Sequence, residues 1–182
     1  HVYLALQELI ARECPAISET ALTIGQFCAG SASNVIPETA VLQGTMRSFD
    51  EKTMSHLIAR LNEIVPSVAG AYRTKAEIEV ISDIPIVRCN EELNQEIVEG
   101  LKELEPELKA VCAYHVMGSE DFAYISQKIP ASYMCIGAGI EDVSKRYVEH
   151  NPKVRFHESA LVKGAAIYAG TAMRWLDLHG NQ

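Results

Sequence analysis

The hydrophobic pattern of the first part of the chain changes between helical and strand periodicity. Residues 1–13 carry apolar side chains at helical spacing, and Pro15 stops that helix. Asp50 is a suitable N-cap for a second helix, which the sequence predicts to end at Pro66 and Gly70. Each helix has one apolar stripe, so each must pack that stripe against another element.

Three further segments in this part of the chain read as strands, with alternating apolar and polar residues most regular in the last two. They are residues 20–29, 39–49 and 75–81. The order αββαβ predicts an antiparallel sheet with two helices on one face, one strand short of a complete ferredoxin-like βαββαβ domain. Arg47 shares the strand face opposite Leu42 and Met46, so it is expected on the open side of the sheet.

A second set of elements follows Pro85. Asn90 is predicted to cap a helix whose buried face consists of Leu93, Ile97, Leu101 and Leu104. Residues 132–136 form a short apolar run typical of a buried strand, and residues 158–178 have the pattern of a long amphipathic helix. Alternating helices and strands predict an α/β layer, and the boundary between the two domains is placed between residues 84 and 85.

Composition excludes several classes of protein. The 182 residues are 48% hydrophobic and 22% charged, as in an ordinary globular protein. A formal net charge of −8 without a cluster of basic residues argues against nucleic acid as a partner. No apolar run is long enough to span a membrane. The five cysteines are odd in number and lack C-x-x-C spacing, which favours free thiols in a reducing, cytoplasmic compartment.

Four short motifs contain the residues that could carry chemistry. They are Ser-Asn-Val-Ile-Pro at 33–37, Gly-Thr-Met-Arg-Ser-Phe-Asp at 44–50, Met-Gly-Ser-Glu-Asp-Phe at 117–122 and Glu-His-Asn-Pro at 149–152. Each also has a structural interpretation. Ser119 and Glu120 fit a helix N-terminus, Arg47 fits a solvated strand position, and a lone loop histidine such as His150 often has no chemical role.

In this order and spacing, the four motifs resemble the metal-dependent aminoacylase/carboxypeptidase family, and most closely its hippurate and auxin-conjugate amidohydrolases. The resemblance covers nearly the whole chain. It implies a lid and dimerisation domain at residues 1–84 and the C-terminal portion of an α/β metallohydrolase catalytic domain at residues 85–182. Family members carry most metal ligands and the catalytic glutamate in an N-terminal segment that this sequence does not contain. The chain is therefore expected to be a C-terminal fragment, inactive by itself.

The resemblance also implies residue roles. Asn34 and Arg47 would bind the substrate, Ser119 and Glu120 would line the active site, and His150 would be a metal ligand. The intact enzyme would hydrolyse N-acyl amino acids or related amides with two divalent ions, zinc or manganese, and would form a homodimer through the lid. The lid histidine of the family is absent here. The alternative is a ferredoxin-like module that binds a small molecule or dimerises without catalysis, which leaves the motifs at 117–122 and 149–152 without a role.

Overall fold

The computed structural model describes residues 1–111 and 115–180. The backbone forms two compact units. Unit 1 contains His1–Ile86 together with Val116–Ala123, and unit 2 contains Val87–His115 and Tyr124–Gln182, apart from the residues outside the described ranges. Both helices and strands are present, so the expected α/β class is confirmed.

Unit 1 is built on an antiparallel hairpin. Strand β1 (Thr20–Ala29) pairs with strand β2 (Ala40–Ser48), with a register shift between Ile24 and Gln26. Gly44 is opposite Ile24 beside this irregularity, and a Cβ on Gly44 would lie 2.4 Å from the carbonyl oxygen of Thr23. Glycine is therefore required there for the two strands to approach each other.

Two helices cover one face of the hairpin. Helix α1 (Val2–Glu8) continues into a π-helical turn (Leu9–Glu13), and helix α2 spans Glu51–Ala71. The side chain of Asp50 accepts a hydrogen bond from the Thr53 amide at 2.7 Å, which confirms the predicted cap. The buried core residues are Leu6, Leu9 and Leu57, and around them pack Val2, Ile10, Cys14, Leu22, Ile24, Met46, Leu61, Ile64 and Val65. The predicted order of helix, two strands and helix is thus confirmed.

The predicted stop of α2 at Pro66 is wrong, because the helix continues through Pro66. The predicted end at Gly70 agrees with the structure to within one residue, since α2 ends at Ala71. The Ser67 hydroxyl bonds the Glu63 carbonyl within this turn, and Ala69 is buried. Just beyond this end, Arg73 adopts a left-handed conformation with a φ of 58°. The Thr74 amide donates a hydrogen bond to the Ala69 carbonyl, which terminates the helix.

The predicted strand at residues 75–81 is also wrong. All seven residues are described, and they form no strand. Two of the three residues expected to point inward are exposed, Ile78 by 38% and Val80 by 63%, whereas Ala76 is half-buried. A strand needs a neighbour for its hydrogen bonds, and the described sheet consists of β1 and β2 only.

Unit 2 is organised around two helices, α3 (Glu91–Leu104) and α5 (Ser159–His179). The Asn90 side chain accepts from the Leu93 amide at 2.8 Å, which confirms the predicted cap of α3. A glycine on each helix permits close packing, because a Cβ on Gly100 would lie 2.5 Å from Cδ of Arg174 and one on Gly170 would lie 2.9 Å from Leu104. Short helices at Ala123–Ser126 (α4) and Val143–Lys145 (3₁₀) complete the regular structure of the described chain.

Three expectations for unit 2 and the cysteines are corrected. Residues 132–136 form no strand and are mostly exposed, since no described strand lies beside them. Leu104 is 65% exposed because it is at the last turn of α3. Cys28 and Cys135 lie in apolar stretches of the sequence that would suit packing residues, but both are exposed; they are free thiols, as the cysteine pattern predicts. The sequence also contains a short apolar segment, Val111-Cys112-Ala113, which lies largely outside the described residues.

Candidate functional site

Arg47 lies near the end of β2, on the face of the hairpin opposite the helices. Its position in the strand pairs it with Ala21 of β1. The guanidinium Nη1 donates a hydrogen bond to the backbone carbonyl of Met117, seventy residues further along the chain. Unit 1 therefore brings together two of the four motifs, the one that contains Arg47 and the one that contains Ser119 and Glu120.

A compact turn orders residues 117–122 after this contact. The Phe122 amide donates to Oε1 of Glu120 at 3.3 Å, and the Ala123 amide donates to the Glu120 carbonyl at 3.1 Å. Ala123 is fully buried, whereas Ser119 is exposed. Glu120 thus accepts hydrogen bonds from backbone amides at the start of a helix, which is the structural interpretation of this residue given by the sequence.

Asn34 lies in the loop between β1 and β2. Within this loop the Val35 amide donates to the Ala32 carbonyl at 3.4 Å. Gly30 has a φ of 69°, and a Cβ at this position would lie 3.6 Å from Cβ of Pro37. Arg47 is near the other end of the hairpin. Ala40 is paired at the loop end, seven positions from Arg47, and a strand rises about 3.4 Å per residue, so the two ends are about 24 Å apart. The hairpin by itself does not bring Asn34 and Arg47 together.

His150 lies in unit 2, in a loop that precedes α5. It is exposed and has a φ of 67°, a left-handed conformation that is uncommon for a residue with a side chain. Turns flank it on both sides. The Asn151 amide donates to the Val148 carbonyl at 3.2 Å, and the Asn151 side chain accepts from the Lys153 amide at 2.9 Å. These contacts fix the backbone direction from which the imidazole projects.

Within the described part of the chain, His150 has too few potential ligands around it for a complete metal site. A tight zinc site needs three or four protein ligands of the histidine, cysteine or carboxylate type. Across residues 1–111 and 115–180, no group of three such side chains lies close enough to hold an ion. The described residues therefore do not fit a complete metal site by themselves, although His150 is of the right chemical type to supply one ligand.

The other histidines near the ends of helices have structural contacts. The His157 side chain accepts from the amide of Ser159, the first residue of α5, at 3.3 Å, and the His157 amide donates to the Ala138 carbonyl at 2.8 Å. His179 lies 3.1 Å from Glu96 and links α5 to α3. His56 lies 3.3 Å from Glu13.

The sequence did not indicate the carbonyl of Met117 as a partner of Arg47. A backbone carbonyl is present at every residue, so no side-chain pattern could single it out. The contact arises only when residues 116–123 fold onto the rest of unit 1.

No described helix is both long and apolar enough to cross a membrane.

Two solved structures share the fold of this chain. A Staphylococcus aureus protein classed as an aminohydrolase superposes with a TM-score of 0.81 at 24% identity, over 95% of this chain and 44% of that one. The Bacillus subtilis protein YXEP, a dinuclear metal-binding peptidase of the M20 family, gives a TM-score of 0.73 at 23% identity, over 94% of this chain and 43% of that one. These likenesses define the class of fold.

The sequence defines the family. Residues 7–174 match the profile of peptidase family M20/M25/M40, and the chain belongs to this family. It is 31% identical over 180 residues to an Arabidopsis thaliana IAA-amino acid hydrolase, ILR1-like 2, covering 96% of this chain and 40% of the relative. It is 30% identical over 172 residues to thermostable carboxypeptidase 2 of Saccharolobus solfataricus, covering 94% of this chain and 43% of that relative. The chain spans about two fifths of the length of these relatives, and the expected family resemblance is confirmed.

Proposed function

We propose that this chain is part of a metal-dependent amidohydrolase that cleaves N-acyl amino acids or related amides. The observation that supports this most directly is the placement of Arg47 beside the segment that contains Ser119 and Glu120, in a chain of this family. A guanidinium on the open face of a sheet can hold a carboxylate in two parallel hydrogen bonds. Every free N-acyl amino acid presents such a carboxylate beside the amide that is cleaved.

The metal ions belong to the intact protein in this proposal. One relative in the family is a dinuclear metal-binding peptidase, and we infer two divalent ions, zinc or manganese, with His150 as a ligand to one of them. The general base and the other ligands are assigned to residues outside this chain. The parts left to this chain are to bind the substrate through Arg47 and Asn34 and to line the site through Ser119 and Glu120.

The role of Arg47 is tested by steady-state kinetics of the full-length protein on hippurate. In Arg47→Ala, KM should rise about 10- to 150-fold while kcat changes little, because a charged hydrogen bond worth about 1.5–3 kcal/mol is lost in the ground and transition states alike. Arg12→Ala is the control, since Arg12 is an exposed residue of the α1 region paired with Glu8. Absence of hydrolysis of hippurate and of a panel of other N-acyl amino acids by the unaltered protein would refute the function. An unchanged KM in Arg47→Ala would remove Arg47 from the site.

A homodimer through unit 1 is part of the proposal. In the described sheet, β1 and β2 each pair on one side only, and a free strand edge is a surface for pairing with a second copy. The separation of about 24 Å between the ends of the hairpin also favours a dimer in which Asn34 of one copy serves the site that contains Arg47 of the other.

Mixed dimers test this arrangement. Full-length Asn34→Ala and Arg47→Ala proteins, each impaired, are mixed, unfolded and refolded together. If the two residues act across the dimer, the mixture should recover about a quarter of unaltered activity, because about half of the dimers are mixed and one of their two sites is intact. Activity no higher than that of the separate variants would place both residues in one copy. A monomer in light scattering at micromolar concentration would exclude the dimer.

A further inference from the structure

The guanidinium of Arg47 is held by one side only. Its Nη1 donates to the Met117 carbonyl, and among residues 1–111 and 115–180 the Arg47 side chain makes no other hydrogen bond. The Nε–H and the Nη2 hydrogens remain for other acceptors. These donors form one edge of the planar fork, and two parallel N–H groups on such an edge match the two oxygens of a carboxylate.

A free arginine side chain has many rotamers, and a ligand that binds it must restrict them. Binding is stronger when that restriction already exists before the ligand arrives. The contact with Met117 supplies it, because one Nη is fixed at the end of a long side chain whose backbone is fixed in β2. A carbonyl is also neutral, so it orients the guanidinium without cancelling its charge.

The carbonyl of Met117 is in turn attached to an ordered segment. Ala123 at the end of Val116–Ala123 is fully buried, and the Glu120 side chain and carbonyl accept from the amides of Phe122 and Ala123. Met117 itself is half-buried. The Met117 carbonyl, which accepts from Arg47, is therefore held in place by a turn of the same unit, although Met117 lies seventy residues further along the chain.

We propose that the backbone carbonyl of Met117 is a positioning group for Arg47. It fixes the guanidinium so that the edge with Nε and Nη2 faces the substrate carboxylate, and the carboxylate joins this arrangement without displacing Met117. The identity of the ligand rests on the proposed function, whereas the contact and its effect on the Val116–Ala123 segment do not.

Hydrogen exchange of the ligand-free 182-residue chain tests the contact. In Arg47→Ala, the amides of residues 118–123 should exchange about tenfold faster, since a charged hydrogen bond that holds the segment is lost. Exchange in β1, β2 and α2 should stay unchanged, which shows that the variant is folded. Arg12→Ala removes a positive charge from the same unit and should leave residues 118–123 unaffected. Unchanged exchange of this segment in Arg47→Ala would overturn the proposal, whatever the activity of the full-length protein.

A second variant weakens the carbonyl and leaves Arg47 intact. An ester in place of the amide between Met117 and Gly118 makes the Met117 carbonyl a poorer acceptor, and no partner is recorded for the Gly118 amide among the described residues. In the full-length enzyme, this change should raise KM for hippurate at least threefold with little change in kcat, and should have no effect on KM in the Arg47→Ala background. If Arg47→Ala raises KM but the ester does not, the positioning role is refuted and the substrate role of Arg47 stands.

The substrate carboxylate could instead displace the Met117 carbonyl from the Arg47 guanidinium. Hydrogen exchange of residues 118–123 distinguishes displacement from joint binding. In full-length enzyme from which the metal has been removed, so that hippurate is not hydrolysed, saturating hippurate should leave the exchange of residues 118–123 equal or slower. The matched carboxamide, hippuramide, should leave this exchange unchanged. Faster exchange with hippurate, approaching the rate in Arg47→Ala, would mean that the ligand displaces Met117 and would contradict the proposal.

Discussion

The carboxylate of Glu13 joins the π-helical turn to α2. Its two oxygens lie 2.6 and 3.0 Å from Nε and Nη2 of Arg60, and His56 is 3.3 Å away. The hydrogen bonds from Arg60 hold the pKa of Glu13 below its usual value of 4.5. This is the bidentate geometry that makes an arginine–carboxylate pair specific. The pair thus fixes α1 and its continuation against α2 above the buried core.

The lowered pKa of Glu13 predicts a pH-dependent stability. A carboxyl group whose pKa is lower in the folded state stabilises that state above its unfolded pKa, and the contribution is lost as pH falls through the folded pKa. Glu13→Gln should therefore lower the melting temperature at pH 6 and have little effect at pH 2.5, as measured by circular dichroism. Glu8→Gln, in the more exposed pair with Arg12, is the control and should have a small effect at both pH values. An equal loss at both pH values for Glu13→Gln would contradict the ionic origin.

Individual residues differ in how far the sequence could predict them. Asp50 and Asn90 were predicted as caps and act as caps, because a capping side chain bonds to backbone three residues away and needs no distant partner. The orientation of Arg47 away from the helices followed from strand alternation. Its contact with Met117 did not, since it depends on the folding of a segment seventy residues away.

The cap of α3 predicts a measurable loss of stability in unit 2. Asn90→Ala should cost about 1 kcal/mol, because the Leu93 amide loses its acceptor at the helix N-terminus. Urea unfolding followed by fluorescence reports on this unit, since Trp175 in α5 is the single tryptophan of the chain. Asn90→Asp keeps an acceptor at the same place and should retain most of the stability. Equal stability of Asn90→Ala and the unaltered chain would show that the cap contributes nothing.

The sequence predicts the helices and the hairpin of unit 1 correctly because the elements that pack together are neighbours along the chain. The two strands of the hairpin are consecutive in the chain and joined by residues 30–39, and α1 and α2 precede and follow them. Residues 75–81 and 132–136 have equally good strand patterns, but a pattern does not supply a neighbour for backbone hydrogen bonds. Ile78, Val80 and Ile136 are exposed as a result. Alternation predicts which side of a strand is apolar, and whether a strand forms depends on what lies beside it.

The residues for which a function is proposed are divided between the two units of the chain. Arg47, Ser119 and Glu120 are in unit 1, and His150 is in unit 2. The relatives are more than twice as long as this chain. Metal binding by the 182-residue chain alone therefore measures how many of the proposed ligands this chain supplies.

We predict that the 182-residue chain alone binds no zinc ion stoichiometrically with high affinity. Three or four ligands are needed to offset the loss of the hydration shell of the ion, and the described residues contain no group of three suitable side chains. His150 is exposed in a turn, with Glu149 as its neighbour in sequence. Calorimetric titration with zinc should give only weak heats, equal in the unaltered chain and in His150→Ala. The result that would contradict the prediction is one zinc per chain bound tightly and lost in His150→Ala, because His150 would then have its co-ligands within this chain.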